Sequence, residues 1–413
     1  MGELISISDA QSTMLDACPI LDAERIPLAV SACRVLAETI CATLDLPAFD
    51  NSSMDGFAVR AADIAGAERN RPVELQVVGD LPAGQVAQQA LGNGEAMRVM
   101  TGAPLPAGAD AVIPVEETDI ESLQTGAAAP LRVKIYRSAA IGENVRPRGQ
   151  DARAGEVLLE KGRLLRAREI GLLAMVGVSQ VLVYRKPKVA VLSTGNELTP
   201  VGQPLQPGKI YDSNSHVLAV LISRFHGEAL FKGVVPDNEE AIQACLDESV
   251  AEGADLILSS GGVSVGAFDY VRSVVEKFGH LTIWRVNMRP GKPIAFGSYR
   301  GVPFIGLPGN PVSAFVGFEV FVRPVLAKMS GMSAWCRRTH RVKTLDELTS
   351  DGRESYLRAF VWQEQDEWKA RLVGHQGSGN LRSLVEANAL LLVPSGVKSL
   401  PIGSEVTAWL LEE

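Results

Sequence analysis

The rhythm of hydrophobic and polar positions changes several times along this chain. At the start, "SISDAQSTMLDAC" and "PLAVSACRVLAETIC" space their apolar residues by three and four. That is the period of one helix face, so residues 1–45 read as helical, with Ser8 and Ser31 as candidate caps. From about Leu46 to Arg153 the apolar runs are short and broken by Pro, Gly, Asn and Asp: "FAVR", "VELQVVG", "AMRVM", "AVIPVEE", "LRVKIY". These predict strands joined by tight turns, with "GQVAQQALGNG" as a loop or hairpin. Over 154–185 a strand, a helix and a strand follow. They are expected to pack back on the amino-terminal helices.

From Lys186 strands and helices alternate. "KVAVLST", "ALFKGVV", "ADLILSS", "LTIWRV" and "VPFIGLP" read as buried strands. "SNSHVLAVLISRFHG", "DNEEAIQACLDESVAEG", "AFDYVRSVVEKFG" and "GNPVSAFVGFEVFVRPVLAKMSG" read as helices. Asp237 with Glu240 resembles a capping box, and Asn310 with Pro311 an N-cap followed by the first helical residue. Such alternation makes βαβ units and a mainly parallel sheet with helices on both faces. After about 335, "HRVKTL", "YLRAFVWQ", "KARLVGH", "ALLLVPSG" and "SEVTAWLL" predict a small barrel. The expected fold class is therefore multidomain α/β and β. A discontinuous helical/mixed domain takes 1–45 plus 154–185, a β-rich lobe 46–153, a doubly wound α/β domain 186–330, and a C-terminal β-barrel 335–413.

Composition narrows the function. The chain has 413 residues, 46% hydrophobic and 21% charged, with a net charge of −8. An acidic protein lacks the basic face that nucleic acid requires. The five cysteines are scattered and never spaced C-x-x-C, so neither a disulfide framework nor a cysteine-built zinc site is expected. There is no ~18-residue apolar run and no signal-peptide pattern, so a cytoplasmic protein away from membranes is expected. "MGELIS" fits the loose myristoylation pattern with nothing else to support it.

Four loops follow strand ends in the α/β segment: "STGNEL" (193–198), "SSGGVSVGAFDY" (259–270), "NMRPGKP" (287–293) and "GLPGNPVSA" (306–314). In a parallel sheet they emerge on one edge, where ligands bind. Glycines let backbone amides approach a ligand, and successive amides before a helix make an anion site. Gly261, Gly262 and Ser264, and Pro308, Gly309, Asn310 and Pro311, fit that role, with Arg289 and Lys292 supplying cations. The pattern is neither of the common glycine-rich nucleotide motifs. Glu197, Asp237 and Asp269 lie at or just after strand ends. Carboxylates beside phosphate suggest Mg²⁺, which takes one or two of them plus phosphate oxygens and water; for Asp237 a helix-capping role is the alternative. In the β-rich segment, Asp50, Asp55, Thr101, Glu116, Arg146, Arg148 and Asp151 crowd among turns, a second candidate cluster or a charged surface.

Taken together, "FDNSSMDGFAVR", "MTGAPLP", "STGNEL", "SSGGVSVGAFDY", "RPGKP" and "GLPGNPVSA", in order over nearly the whole chain, resemble the MoeA family of molybdopterin molybdenumtransferases. That family is related to the carboxyl-terminal domain of gephyrin. The resemblance implies an elongated homodimer of four-domain subunits, the α/β domain being MogA-like. It also implies a reaction of adenylylated molybdopterin with molybdate and a divalent cation, giving molybdenum cofactor and AMP. An upstream adenylyltransferase would supply the substrate. Carried over residue by residue, the family's functional positions are Asp55, Thr101, Arg146, Asp151, Glu197, Asp237, Asp269, Pro308, Pro311 and Ser378. Departures are Arg285 and Arg289, where some relatives carry lysine, and Asn196, where an aspartate is expected. The resemblance implies that the 47–60, 101–118 and 146–151 cluster of one subunit faces the 193–314 edge of the other. An adenylyltransferase and a gephyrin-like scaffold are the competing readings, and tungstate is a second possible oxyanion.

Overall fold

Residues 4–120, 128–261, 270–333 and 337–411 are described in this computed structural model, Ile283 and Trp284 by backbone alone. Lys188–Thr194 (β1) is buried from Val189 onward, as a strand inside a parallel sheet must be. It is joined by β2 (Glu228–Val235), β3 (Leu256–Ser260), β4 (Gly279–Arg285), β5 (Pro293–Tyr299) and β6 (Val302–Leu307) in the order β2-β1-β3-β6-β5-β4. β2, β1, β3 and β6 run parallel. β5 is antiparallel to β6, and β4 to β5, so β4 points the same way as the parallel four. The carboxyl ends of β1, β2, β3, β4 and β6 therefore share one edge; the loops 193–198, 287–293 and 306–314 emerge there, as does the start of 259–270, whose residues 262–269 lie outside the described ones.

Successive strand residues face opposite sides. Val189 and Val191 join Leu258, Ile305 and Leu307 under α1 (Asn214–Arg224) and α4 (Pro311–Gly317). Ala190, Leu192 and Ile257 join the opposite core under α2 (Glu239–Ala251) and α3 (Tyr270–Phe278). The β5–β6 hairpin is not foreseen in the sequence. Its turn places Arg300 at φ 46° and Gly301 at φ 86°, the left-handed pair of a tight hairpin. Arginine at the first position hides the usual Asn-Gly signature.

The amino terminus corrects the helical expectation in part. Ile7–Ala17 is a helix, capped by Ser6, whose hydroxyl accepts the Asp9 amide at 3.1 Å; Ser8 is not the cap. Its Ile7, Ala10 and Met14 enter the same core, against the helical continuation at 318–329 beyond α4. The second stretch is helical only for a short 3₁₀ turn at Leu28–Val30. Beyond it, the amide of Leu36 donates to Arg163 O and that of Ala37 to Leu182 O, each at 2.9 Å. Pairing with distant chain has overridden the local period. Ala23–Pro27 likewise pairs antiparallel with Gln180–Tyr184.

In the carboxyl-terminal region, Thr339–Thr344, Glu354–Glu364, Glu367–Leu372, Ala389–Val393 and Glu405–Leu410 close into a five-stranded barrel. Closure leaves no edge among these strands except where Met288–Arg289, in the loop after β4, adds in parallel to Glu354–Ser355.

Residues 39–160 with 168–179 form one compact unit, and 1–38, 161–167 and 180–413 the other. The first unit holds a five-stranded sheet ordered Ala111–Pro114, Gly56–Val59, Glu95–Val99, Val73–Leu81, Arg132–Ile135. Phe57, Ile64, Leu75 and Ile113 fill one face, and Leu81, Met97, Val99 and Val112 the other. Cys18, Cys33, Cys41 and Cys245 are free thiols. No helix among the described residues is long and apolar enough to cross a membrane.

Candidate functional site

The rim of the six-stranded sheet is crowded. Gly261 sits at φ +89°, and a Cβ there would lie 2.4 Å from the carbonyl oxygen of Thr194. Its amide donates to Leu307 O at 3.0 Å. At this position glycine admits the neighbouring strand's backbone, which the sequence reading had attributed to a ligand. Gly262, Ser264 and Asp269 lie outside the described residues. Thr194 Oγ1 and Ser259 Oγ, both buried at the strand ends, find no partner among the described residues.

Two acidic side chains stand on the same rim. Glu197 folds back over Gly195, where a Cβ would lie 2.6 Å from Glu197 Oε1. Asp237 is not the cap of α2. That role belongs to Asn238, whose Oδ1 accepts the Ala241 amide at 2.9 Å. The carboxylate of Asp237 is thereby released, and its buried Oδ1 has no partner among the described residues. Burial, and next the charge of Glu197, hold its carboxyl above the usual range. A desolvated carboxylate repelled by a second one is a good partner for a hard cation. Among the described residues no cluster of three or more metal-ligating side chains is assembled, so this pair fits Mg²⁺ only with ligand oxygens or water completing the shell.

Where the loop after β4 meets the barrel, a cavity of about 330 Å³ opens. Arg289, Lys292, Pro308, Asn310 and Ser378, proposed on sequence from three separate segments, all line it. Asn310 occupies the N-cap position of α4 but makes no side-chain cap bond. The sequence reading missed Arg353 and Arg358, which also line the cavity. Arg358 is 1% exposed. Its Nε donates to Ser383 Oγ at 2.9 Å, Nη1 to Gln376 O at 3.3 Å, and Nη2 to His375 O and Gly377 O at 3.0 Å. Burial, then the Arg289 charge, draw it down to about 10, so it remains a cation at neutral pH. Arg353 donates to Met288 O at 2.7 Å and pairs with Asp351 at 2.6 Å. The cavity has four cations and no carboxylate among its described lining residues. An arginine inside the largely apolar run "SYLRAFV" is the one signal the sequence offers.

In the other unit, the Thr101 amide and Oγ1 both donate to Asp55 Oδ1, at 2.6 and 2.7 Å. The hydroxyl first, then the amide, hold the Asp55 carboxyl below its usual range. Asn51–Ser52 pairs with Val145–Arg146, which brings the 47–60 and 146–151 segments together. Arg146 pairs with Asp151 at 2.9 Å, and Arg148 with Asp45 at 2.5 Å; the Arg148 amide donates to Asp50 at 2.6 Å. Both guanidinium groups thus already have carboxylate partners, whereas neither Arg289 nor Lys292 is ion-paired among the described residues.

Three family models match in order along the chain. Residues 5–177 match the MoeA N-terminal region (domain I and II), 190–328 a probable molybdopterin binding domain, and 341–411 the MoeA C-terminal region (domain IV). The molybdopterin molybdenumtransferase of Haemophilus influenzae is 36% identical over 408 residues, covering 98% of each chain. That of Nostoc sp. is 38% identical over 412 residues, covering 97% of this chain and 92% of its own. The crystal structure of a molybdopterin biosynthesis MoeA protein from Pyrococcus horikoshii superposes with a TM-score of 0.81 at 34% identity, over the whole of both chains.

Proposed function

Since the chain belongs to the MoeA family of molybdopterin molybdenumtransferases, we propose that it inserts molybdate into adenylylated molybdopterin and releases AMP. The observation that carries this reading is the cavity with four cations and no described carboxylate. Such a lining suits a small tetrahedral dianion, held by point-charge and forked donors together. Tungstate has the same charge and shape and is expected to compete.

The roles follow from the contacts. Arg289 and Lys292 hold the oxyanion, while Arg353, itself paired with Asp351, shapes the wall. Arg146 and Arg148, also candidates on sequence, are placed second because each is already ion-paired. The rim loops that follow Gly261 and Leu307 receive the phosphates of the nucleotide, with the amides of Gly309 and Asn310 as donors. Glu197 and Asp237 would hold Mg²⁺, with Asp269 as a further ligand. A divalent cation there would offset charge on the phosphoanhydride. Asp55, fixed by two bonds from Thr101, orients the pterin nucleotide or a water. The dithiolene sulfurs of the substrate receive the molybdenum. In this reading two copies of the chain complete the site, the protein works in the cytoplasm, and an adenylyltransferase acts immediately before it.

The test is to incubate purified protein with adenylylated molybdopterin, Mg²⁺ and graded molybdate, following AMP by chromatography and mass by light scattering. AMP release that rises with molybdate, from a dimer, is the expected result. In a parallel incubation with ATP and molybdopterin, ATP consumption with formation of the adenylylated pterin would make it the adenylyltransferase instead. No turnover of either kind, with capture of unrelated proteins, would make it a scaffold.

A further inference from the structure

Asn214, the first residue of α1, is 9% exposed and is not among the residues lining the cavity. Its Nδ2 donates to Ser260 Oγ and to the carbonyl of Gly309, each at 2.8 Å. Ser260 ends β3, and Gly309 lies in the loop after β6. These two segments meet without side chains between them: a Cβ on Gly309 would lie 3.7 Å from the Cα of Gly261. Glycines cannot interlock, so hydrogen bonds must set the spacing. The position of Asn214 is fixed in turn by Asp212, which accepts from Ser193 Oγ at 3.0 Å, from the Ser215 amide at 3.2 Å, and from Ser215 Oγ. The ends of β1, β3 and β6 are thus strung on one buried polar chain.

The loop 306–311 has two sides. Pro308 and Asn310 face the anion cavity, while the Gly309 carbonyl turns to Asn214. We propose that Asn214 is a positioning residue that pins this loop as a wall shared by the oxyanion cavity and the glycine-lined rim, so that both substrates are held in register. Both amide protons of Asn214 are spent on the pin. This inference rests on the reaction proposed above.

The experiment compares wild type with Asn214→Ala, Asn214→Asp and Ser260→Ala. Asn214→Asp keeps the shape but turns an acceptor toward the Gly309 carbonyl. Half-saturating concentrations of adenylylated molybdopterin and of molybdate are measured separately, with amide hydrogen exchange over 306–311 as a readout independent of chemistry. Both Asn214 variants are expected to raise both half-saturation values together by roughly tenfold, more than kcat falls, and to speed exchange; Ser260→Ala, which keeps the Gly309 bond and, toward the loop, loses only the long 3.4 Å bond from Ser260 Oγ to the Pro308 carbonyl, about threefold or less. A rise for one substrate alone overturns the proposal. So does a loss seen only as fewer active molecules with unchanged half-saturation and exchange. If wild type shows no molybdate-dependent turnover, the proposed reaction fails, and exchange decides the pin: faster exchange in Asn214→Ala keeps it, unchanged exchange removes it.

Discussion

The amide of Val312, in the first turn of the helix after the "LPGNP" loop, donates to the carbonyl of Ser378, in a barrel loop, over 3.0 Å. One bond therefore ties the sheet's carboxyl edge to the barrel, through a residue, Ser378, that lines the cationic cavity. Of the cavity's four cations, Arg353 and Arg358 are engaged in shaping its wall, while Arg289 and Lys292 are not ion-paired among the described residues.

Replacing Arg289 or Lys292 by glutamine should weaken oxyanion binding without unfolding the protein. Neither is ion-paired among the described residues, so little structure is lost. The half-saturating molybdate concentration is expected to rise about tenfold for each, consistent with one charge-assisted contact. Titration calorimetry with molybdate checks this, and an unchanged affinity would move the oxyanion elsewhere.

Arg358→Lys separates shape from charge. Lysine keeps the cation but cannot bridge Ser383 Oγ and the carbonyls of residues 375–377. A hydrogen bond from a charged group is worth about 1.5–3 kcal/mol, and several of these are lost together. A melting temperature several degrees lower, together with weaker molybdate binding, is expected in calorimetry. Wild-type stability in the lysine variant would make Arg358 a charge only.

Asp237→Asn should stabilise the metal-free protein at neutral pH. Its folded pKa is raised, by burial first and Glu197 second, so ionisation costs stability. That cost is absent below the unfolded value of about 3.9, grows as pH rises through it, and is complete above the folded value. The variant's melting temperature should exceed wild type at pH 7, and the gap should close toward pH 4. Added Mg²⁺ should raise the wild type more than the variant. An equal response to Mg²⁺ would take Asp237 out of the cation site.

Thr101→Val should let Asp55 titrate nearer the ordinary carboxylate value. The carboxyl is lowered mainly by the Thr101 hydroxyl, then by its amide, and valine removes only the first. The stabilisation from this pair is present above about 3.9 and is lost as pH falls through the folded value. A carbon-13 titration of the Asp55 carboxyl reads the shift. Asp55→Asn should slow AMP release by at least about a hundredfold, if the carboxylate orients a reacting group.

Gly261→Ala tests the close crossing of β1 and β3. A methyl 2.4 Å from Thr194 O, on a backbone at φ +89°, cannot be accommodated in place. A loss of about 1–3 kcal/mol or more is expected from chemical denaturation. A neutral result would mean that the strand end shifts freely.

Much of this was legible in the residues. The strand–helix alternation from Lys186 gave the sheet because buried parallel strands and amphipathic helices write strong, distinct periods. The rim loops were legible because Gly and Pro mark them. What stayed hidden was settled by partners far away in sequence. Leu36 and Ala37 carry a helical period but spend their amides on Arg163 and Leu182. Asn238 takes the cap that Asp237 seemed to offer. Arg358 lies on a barrel strand, where nothing local announces that its guanidinium will hold a distant loop.

Met288–Arg289 is at once the exit from the sheet and an extra rung on the barrel. Because that rung carries a cation of the cavity, a substitution on a barrel strand can shift the cavity's positive charge without touching the parallel sheet. If the cavity takes the oxyanion as proposed, preference between neighbouring elements would be open to adjustment from the barrel side.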